Sequence, residues 1–177
     1  MEMDKKLQTI FAQIEEHHCL ETISDGEFYI YDCGEKQRCF ILKDETNSTD
    51  TQLFKVINHN NQNIRFLAID KCLFFDSDKF KRCDCLIYNE EYLCFVEIKK
   101  VNTTRNRNSA KKAARAQLYS TITIFKEKID LENRIVEAYL CVGYKPTNPA
   151  ILASSQSAKV AFENLKARLY NGCQKRF

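Results

Sequence analysis

The sequence has no apolar run near the roughly 18 residues that a membrane-spanning helix needs, no internal repeat and no low-complexity segment. These absences set aside a helical membrane protein, a solenoid and a disordered linker. No signal-type apolar core follows Met1, so the expected compartment is the cytoplasm, with no membrane partner. An excess of one charge is missing too: 27 lysines and arginines face 24 acids. Cysteine is plentiful, but its nine copies lack any C-x2-C pairing. The count is odd, and Cys72, Cys85, Cys94 and Cys141 lie in apolar runs, where a thiol acts as a small hydrophobe. Buried, reduced thiols are therefore expected. Cys33, Cys39, Cys83 and Cys85 are the set that could gather around zinc, without support from their spacing.

What is present fits one globular domain of 177 residues, 44% hydrophobic and 29% charged. The charge is unevenly placed. Residues 1–50 hold 12 acids against 5 lysines and arginines. From residue 99 the balance reverses through Lys99, Lys100, Arg105, Arg107, Lys111, Lys112 and Arg115, with no acid between residues 98 and 126. Such a strip either follows phosphates or neutralises the acidic N-terminal third.

Periodicity predicts a first helix over residues 4–18, with Leu7, Ile10, Phe11 and Ile14 as its buried stripe. "EFYIYDCGEKQRCFILKD" reads as two strands around a turn at Gly34. Polar loops follow at 44–52 and 58–63, with a weak helical segment between them. Residues 64–75, 83–88 and 92–99 are strand-like. A loop capped by Asn108 or Ser109 leads into a helix over 110–127, and "RIVEAYLCVGY" is a further strand ended by the 143–149 region. A last helix over 157–171 is expected to start at Ser157, face Phe162, Leu165 and Leu169 inward, and stop at Gly172. The sum is an α/β domain, a central mixed β-sheet flanked by helices.

The chemistry concentrates in "RCDCLIYNEEYLCFVEIKK", residues 82–100. If residues 83–88 pair with 92–98 through the turn Glu90-Glu91, opposite positions sum to 181 and Asp84 faces Glu97. Lys99, two residues on, shares the face of Glu97. Leu93 and Phe95 occupy that face, and Cys94, Val96 and Ile98 the other, so the strand is central and covered on both sides. Two buried carboxylates repel, and one takes up a proton unless a cation intervenes. A divalent metal resolves the conflict, and carboxylates with open water positions suit magnesium. The bland alternative is an Asp-Lys-Glu ion-pair cluster.

At these residues the chain resembles the PD-(D/E)XK nuclease superfamily, with Asp84 as first acid and Glu97-Ile98-Lys99 as the E-x-K. Cys83 stands where a proline often precedes the aspartate. The resemblance implies a restriction-endonuclease-like core over about 64–142, with an N-terminal helix and strands in 1–63, all within one domain spanning 1–177. It implies Mg2+ or Mn2+ held by Asp84 and Glu97, with Lys99 assisting the water or the transition state. Gln117 on the following helix matches a glutamine that RecB-like members carry near their site, although Thr121 stands where they usually place tyrosine. Glu15 on the first helix and Asp70 are the candidate third acids. Lys100, Arg105, Arg107, Lys111, Lys112 and Arg115 would contact nucleic acid, DNA before RNA. The implied role is a nuclease, plausibly a restriction or anti-phage defence effector subunit, alone, as a homodimer or with a partner protein. The rivals are a catalytically silent subunit with the same fold and a nucleic-acid-binding domain without chemistry.

Overall fold

The computed structural model describes residues 2–44, 52–101, 103–131, 134–143, 151–152 and 155–177. Its centre is a seven-stranded mixed sheet in the order β1-β5-β6-β7-β8-β10-β9. These strands are β1 (Leu20–Ile23), β5 (Ile64–Ala68), β6 (Cys85–Tyr88), β7 (Tyr92–Lys99), β8 (Ile135–Val142), β9 (Ile151–Leu152) and β10 (Ala167–Asn171). A second sheet, ordered β11-β4-β2-β3, holds β2 (Glu27–Cys33), β3 (Arg38–Leu42), β4 (Leu53–Ile57) and β11 (Gln174–Arg176). The helices are α1 (Glu2–Ile10), α2 (Gln13–Glu16), α3 (Thr104–Lys128) and α4 (Gln156–Asn164). The chain is thus α/β with a mixed sheet and flanking helices.

β7 sits in the middle of the large sheet and is apolar on both faces, as the sequence predicts. Phe95 meets Phe125 of α3, ring centroids 5.2 Å apart, and Phe125 also meets Phe11. On the other face Cys94 meets Glu137 of β8, which pairs with Lys175 of β11. One face therefore carries the helix layer and the other the second sheet. β7 runs parallel to β8, and α3 is the crossover between them. The inward seam of α3 is formed by the buried residues Ala114, Leu118, Thr121, Ile122 and Phe125.

Several boundaries differ from expectation. The first helix breaks after Ile10, which is 40% exposed, while Met3, Leu7, Phe11 and Ile14 are buried. His18, with φ 50°, turns the chain out of α2. Residues 53–57 form a strand rather than a helical segment. α3 begins near Thr103, which is extended at the cap, so Arg105 and Arg107 lie on the helix rather than in a loop. The Ser109 hydroxyl caps nothing and donates to the Asn106 carbonyl. The last helix stops at Asn164, Lys166 turns the chain at φ 49°, and residues 167–171 form a strand parallel to β8. Buried Ala167 and Leu169 alternate with exposed Arg168, a period of two rather than 3.6. Expected loop residues 45–51 and 144–150 lie outside the described ones. Cys19 and Cys72 form a disulfide, correcting the expectation of thiols reduced throughout. The cause is proximity: Cys19 accepts from the Ala68 amide beside the turn that carries Cys72. The other seven cysteines lie outside this disulfide, six of them buried.

The second sheet is tied to the first by a buried ion pair. Lys175 Nζ lies 2.8 Å from Glu137 Oε2, which also accepts from the Tyr139 hydroxyl at 2.8 Å and the Cys94 thiol at 3.4 Å. Removing one partner strands a buried charge, at a cost of about 3–5 kcal/mol. Lys175→Met should lose that much in denaturant unfolding, and adding Glu137→Leu should restore most of it. A loss below about 1 kcal/mol would show that the pair does not hold the layers together.

Candidate active site

The β6–β7 hairpin keeps the expected register. Cys85 pairs with Val96 and Leu86 with Phe95, both summing to 181, and the Asn89 amide reaches the Tyr92 carbonyl at 3.1 Å across Glu90-Glu91. The hydrogen-bonded pairs alternate, so the Ile98 amide would next meet the carbonyl of Cys83. It donates instead to Asp84 Oδ2 at 2.5 Å. The ladder ends there because α3 holds the preceding backbone. Gln117 Nε2 donates to the Arg82 carbonyl at 2.9 Å, and the Cys83 amide donates to Thr121 Oγ1 at 2.8 Å. Gln117 and Thr121, four residues apart on one helix face, together clamp the residues that deliver Asp84. Gln117 is thus a positioning residue, and Thr121 stands at the place where the resemblance expects tyrosine.

Asp84 is 4% exposed and Glu97 0%. Burial pushes the Asp84 carboxyl up to about 7, with the Ile98 amide and Lys99 opposing and the Asp32 and Asp70 charges adding. Burial, then the charge of Asp84, pushes Glu97 well above the usual carboxylate range against the pull of Lys99. Burial alone would lower the Lys99 ammonium, but Glu97, Asp84 and Asp32 outweigh it and hold Lys99 above its ordinary value. Lys99 Nζ stands 2.6 Å from Glu97 Oε1, yet out of line for a hydrogen bond, and neither Glu97 oxygen has a hydrogen-bond partner. Glu137, equally deep, receives three donors. Glu97 is thus a buried carboxylate with a lysine against one oxygen and no aligned donor on either.

The remaining candidates separate. Asp70 is ion-paired with Arg82 Nε rather than with Lys71 or Lys99, and Lys71 pairs with Asp76. Glu15 is exposed on α2, and no hydrogen bond or ion pair among the described residues links it to Asp84 or Glu97. The third acid brought to Asp84 is Asp32, whose carboxylate, the Cys39 thiol and the Asp84 carboxylate lie within 4.8 Å of one another. Sequence reasoning missed it, although a signal exists. Phe28, Ile30 and Asp32 share the alternation of β2, and the first two are fully buried, so an acid continues an inward face. A surface cavity of about 270 Å³ is lined by Asp70, Phe80, Lys81, Arg82, Ala113 and Gln117.

No family model, curated protein or solved structure matches the chain. Function must be read from the site itself.

The cationic strip begins where the acids end. The Arg107 guanidinium packs over Gly143, where an added Cβ would meet its Nε at 3.5 Å, and the Gly143 amide donates to the Lys99 carbonyl at 3.2 Å. Arg107, Lys111 and Arg115 recur every four residues of α3 and therefore lie along one stripe. Burial, then the charges of Arg107 and Arg115, lowers the Lys111 ammonium. Arg115 Nε is buried without a hydrogen-bond partner. Among the described residues, no ion pair joins Arg105, Arg107, Lys111, Lys112 or Arg115 to an acid of the N-terminal third. Lys100 lies exposed just beyond β7. The first turn of α3 has no acid, leaving the positive end of its dipole unopposed.

The titration of Asp84 gives a test with a definite sign. A carboxyl raised on folding from about 3.8 to about 7 favours the folded state fully below pH 4, and that contribution is lost as pH rises through 7. In chelator, the protein should lose on the order of 4 kcal/mol between pH 4 and pH 8 from this group. Asp84→Asn should remove that component, so the variant should gain on the parent as pH rises in melts at several pH values. A constant difference across pH would refute the burial of an ionisable Asp84.

Proposed function

We propose that the chain is a metal-dependent nuclease of the PD-(D/E)XK type that hydrolyses phosphodiester bonds, in DNA before RNA. One observation carries this reading: Glu97 is fully buried, close enough to Asp84 to be raised by its charge, and has no aligned donor on either oxygen. Hard oxygen ligands in that state fit magnesium or manganese. Asp84 and Glu97 would hold the ion, with the Asp32 carboxylate within 4.8 Å of that of Asp84. When bound, the cation supplies Lewis acidity toward a phosphate oxygen.

The residues of the chain would do the rest. Lys99, kept charged by its three acids, would orient the attacking water or meet the charge that develops on the phosphoryl oxygens. Gln117 and Thr121 fix the backbone before Asp84, so the carboxylate need not reorganise when substrate arrives. Arg107, Lys111 and Arg115 would hold the phosphodiester backbone, positioning it without reading bases. A single domain of this kind suits an effector subunit of a restriction or defence system. The silent-subunit alternative draws its support from the contact of Lys99 with Glu97, which already offsets part of that charge.

Purified protein should cleave DNA with magnesium or manganese and stop on chelation, with Glu97→Gln and Lys99→Ala each reducing the rate by orders of magnitude. Magnesium should also raise the melting temperature of the parent but not of Glu97→Gln. A melting temperature indifferent to metal, together with no cleavage of any nucleic acid, would favour the silent subunit.

The strip makes a separate prediction. Each phosphate contact contributes about 0.9 to the slope of log affinity against log salt on duplex DNA. Arg107→Ala with Lys111→Ala should therefore flatten the slope by about 2, leave sequence preference unchanged, and leave stability nearly unchanged. Lost stability with an unchanged slope would return the strip to an ordinary structural role.

A further inference from the structure

The Asp32, Cys39 and Asp84 cluster mixes sulfur with oxygen, which is not magnesium chemistry. Asp32 and Cys39 face each other across β2 and β3, while Asp84 comes from the other sheet. Cys85, next to Asp84 in the chain, is buried, but its thiol lies outside this set of mutually close atoms. Of the four cysteines singled out from the sequence for zinc, the fold thus brings Cys39 to the two carboxylates. Cys83 hydrogen-bonds instead toward the Cys85 carbonyl, and Cys33 is half-buried at the end of β2.

Magnesium demands oxygen ligands and retains its waters, whereas zinc accepts thiolate and carboxylate together in a tetrahedral shell. Zinc–sulfur bonds of about 2.3 Å and zinc–oxygen bonds of about 2.0–2.2 Å set ligands roughly 3.3–3.8 Å apart. The three atoms within 4.8 Å need only a small contraction to reach that shell. Asp32 is exposed while Cys39 and Asp84 are buried, so an ion would enter past Asp32.

We infer that Asp32, Cys39 and Asp84 form a zinc site, with water in the fourth position, that pins the β2–β3 hairpin to the start of β6. Binding releases the Cys39 thiol proton to buffer, because a thiol coordinated to zinc is deprotonated. The site shares Asp84 with the proposed magnesium centre, so zinc there would block magnesium-dependent cleavage. That last consequence rests on the nuclease reading, whereas zinc binding does not.

The full chain, reduced and stripped of metal, should be titrated with zinc by calorimetry in buffers of different ionisation enthalpy. We expect about one tight site per chain and the release of at least about one proton, that of the Cys39 thiol. Cobalt in place of zinc should give the near-ultraviolet thiolate charge-transfer band. Asp32→Asn, at an exposed position, should weaken zinc binding roughly tenfold or more, and Cys39→Ser should weaken it and diminish the cobalt band. Absence of the band, or zinc affinity unchanged in Asp32→Asn, would overturn the proposal even if Cys39→Ser fails to fold. A chain that binds zinc in this way but cleaves nothing keeps the zinc site and loses the nuclease reading. Cleavage with magnesium and no response to zinc does the reverse.

Discussion

A carboxylate taken out of water must meet hydrogen-bond donors, a proton or a cation, and this chain solves the problem in two ways. At Glu137 one oxygen collects a lysine, a tyrosine and a thiol, and the resulting knot binds the two sheets. At Glu97, on the neighbouring strand and equally buried, both oxygens lack a partner and the nearest ammonium is misaligned. The contrast matters because the same fold shows how a buried acid is satisfied when only stability is at stake. Leaving Glu97 open while pressing Asp84 toward it costs folding energy at neutral pH. Such a cost is usual where a site is kept ready for a ligand.

The parts legible in the sequence were those set by simple local patterns. The two-residue turn at Glu90-Glu91 was enough for the β6–β7 register, since strands buried on both faces leave the alternation no outward side to choose. Boundaries failed where local chemistry had two uses. Ser109 reads as a cap, yet its hydroxyl bonds just as well inside a helix, so α3 started five or six residues early. Phe162, Leu165 and Leu169 fit a helical spacing, but a left-handed residue at Lys166 breaks it and pairing with β8 takes over. Asp32 lay hidden because it comes from a second sheet, and nothing local to Asp84 reveals a partner 52 residues earlier.

Topology also explains why the acids and the cations abut. In a parallel β7-α3-β8 unit the crossover helix must begin near the end of β7 where Glu97 and Lys99 sit. Cations that follow the E-x-K in sequence therefore come to lie beside it in space, and Arg107 over Gly143 marks the junction. Among the described residues, the N-terminal third draws none of these side chains into an ion pair. Its charges are used elsewhere, Asp4 on Arg65 and Glu27 on Lys55.

Two imbalances of opposite sign are thus held side by side. Asp32, Asp70, Asp84 and Glu97 act on one another around the Lys99 ammonium, which stands against Glu97, with Arg82 already committed to Asp70. Burial, and then the charges of Arg107 and Arg115 along the same stripe, lowers Lys111. Moving the lysines toward the acids would have relieved both, and the absence of any acid between residues 98 and 126 prevents relief along the helix itself. A cation relieves only the first and an anion only the second. A polyanion arriving with a divalent ion relieves both at once, and among common biological ligands nucleic acid is the one that carries its own row of phosphates along such a stripe.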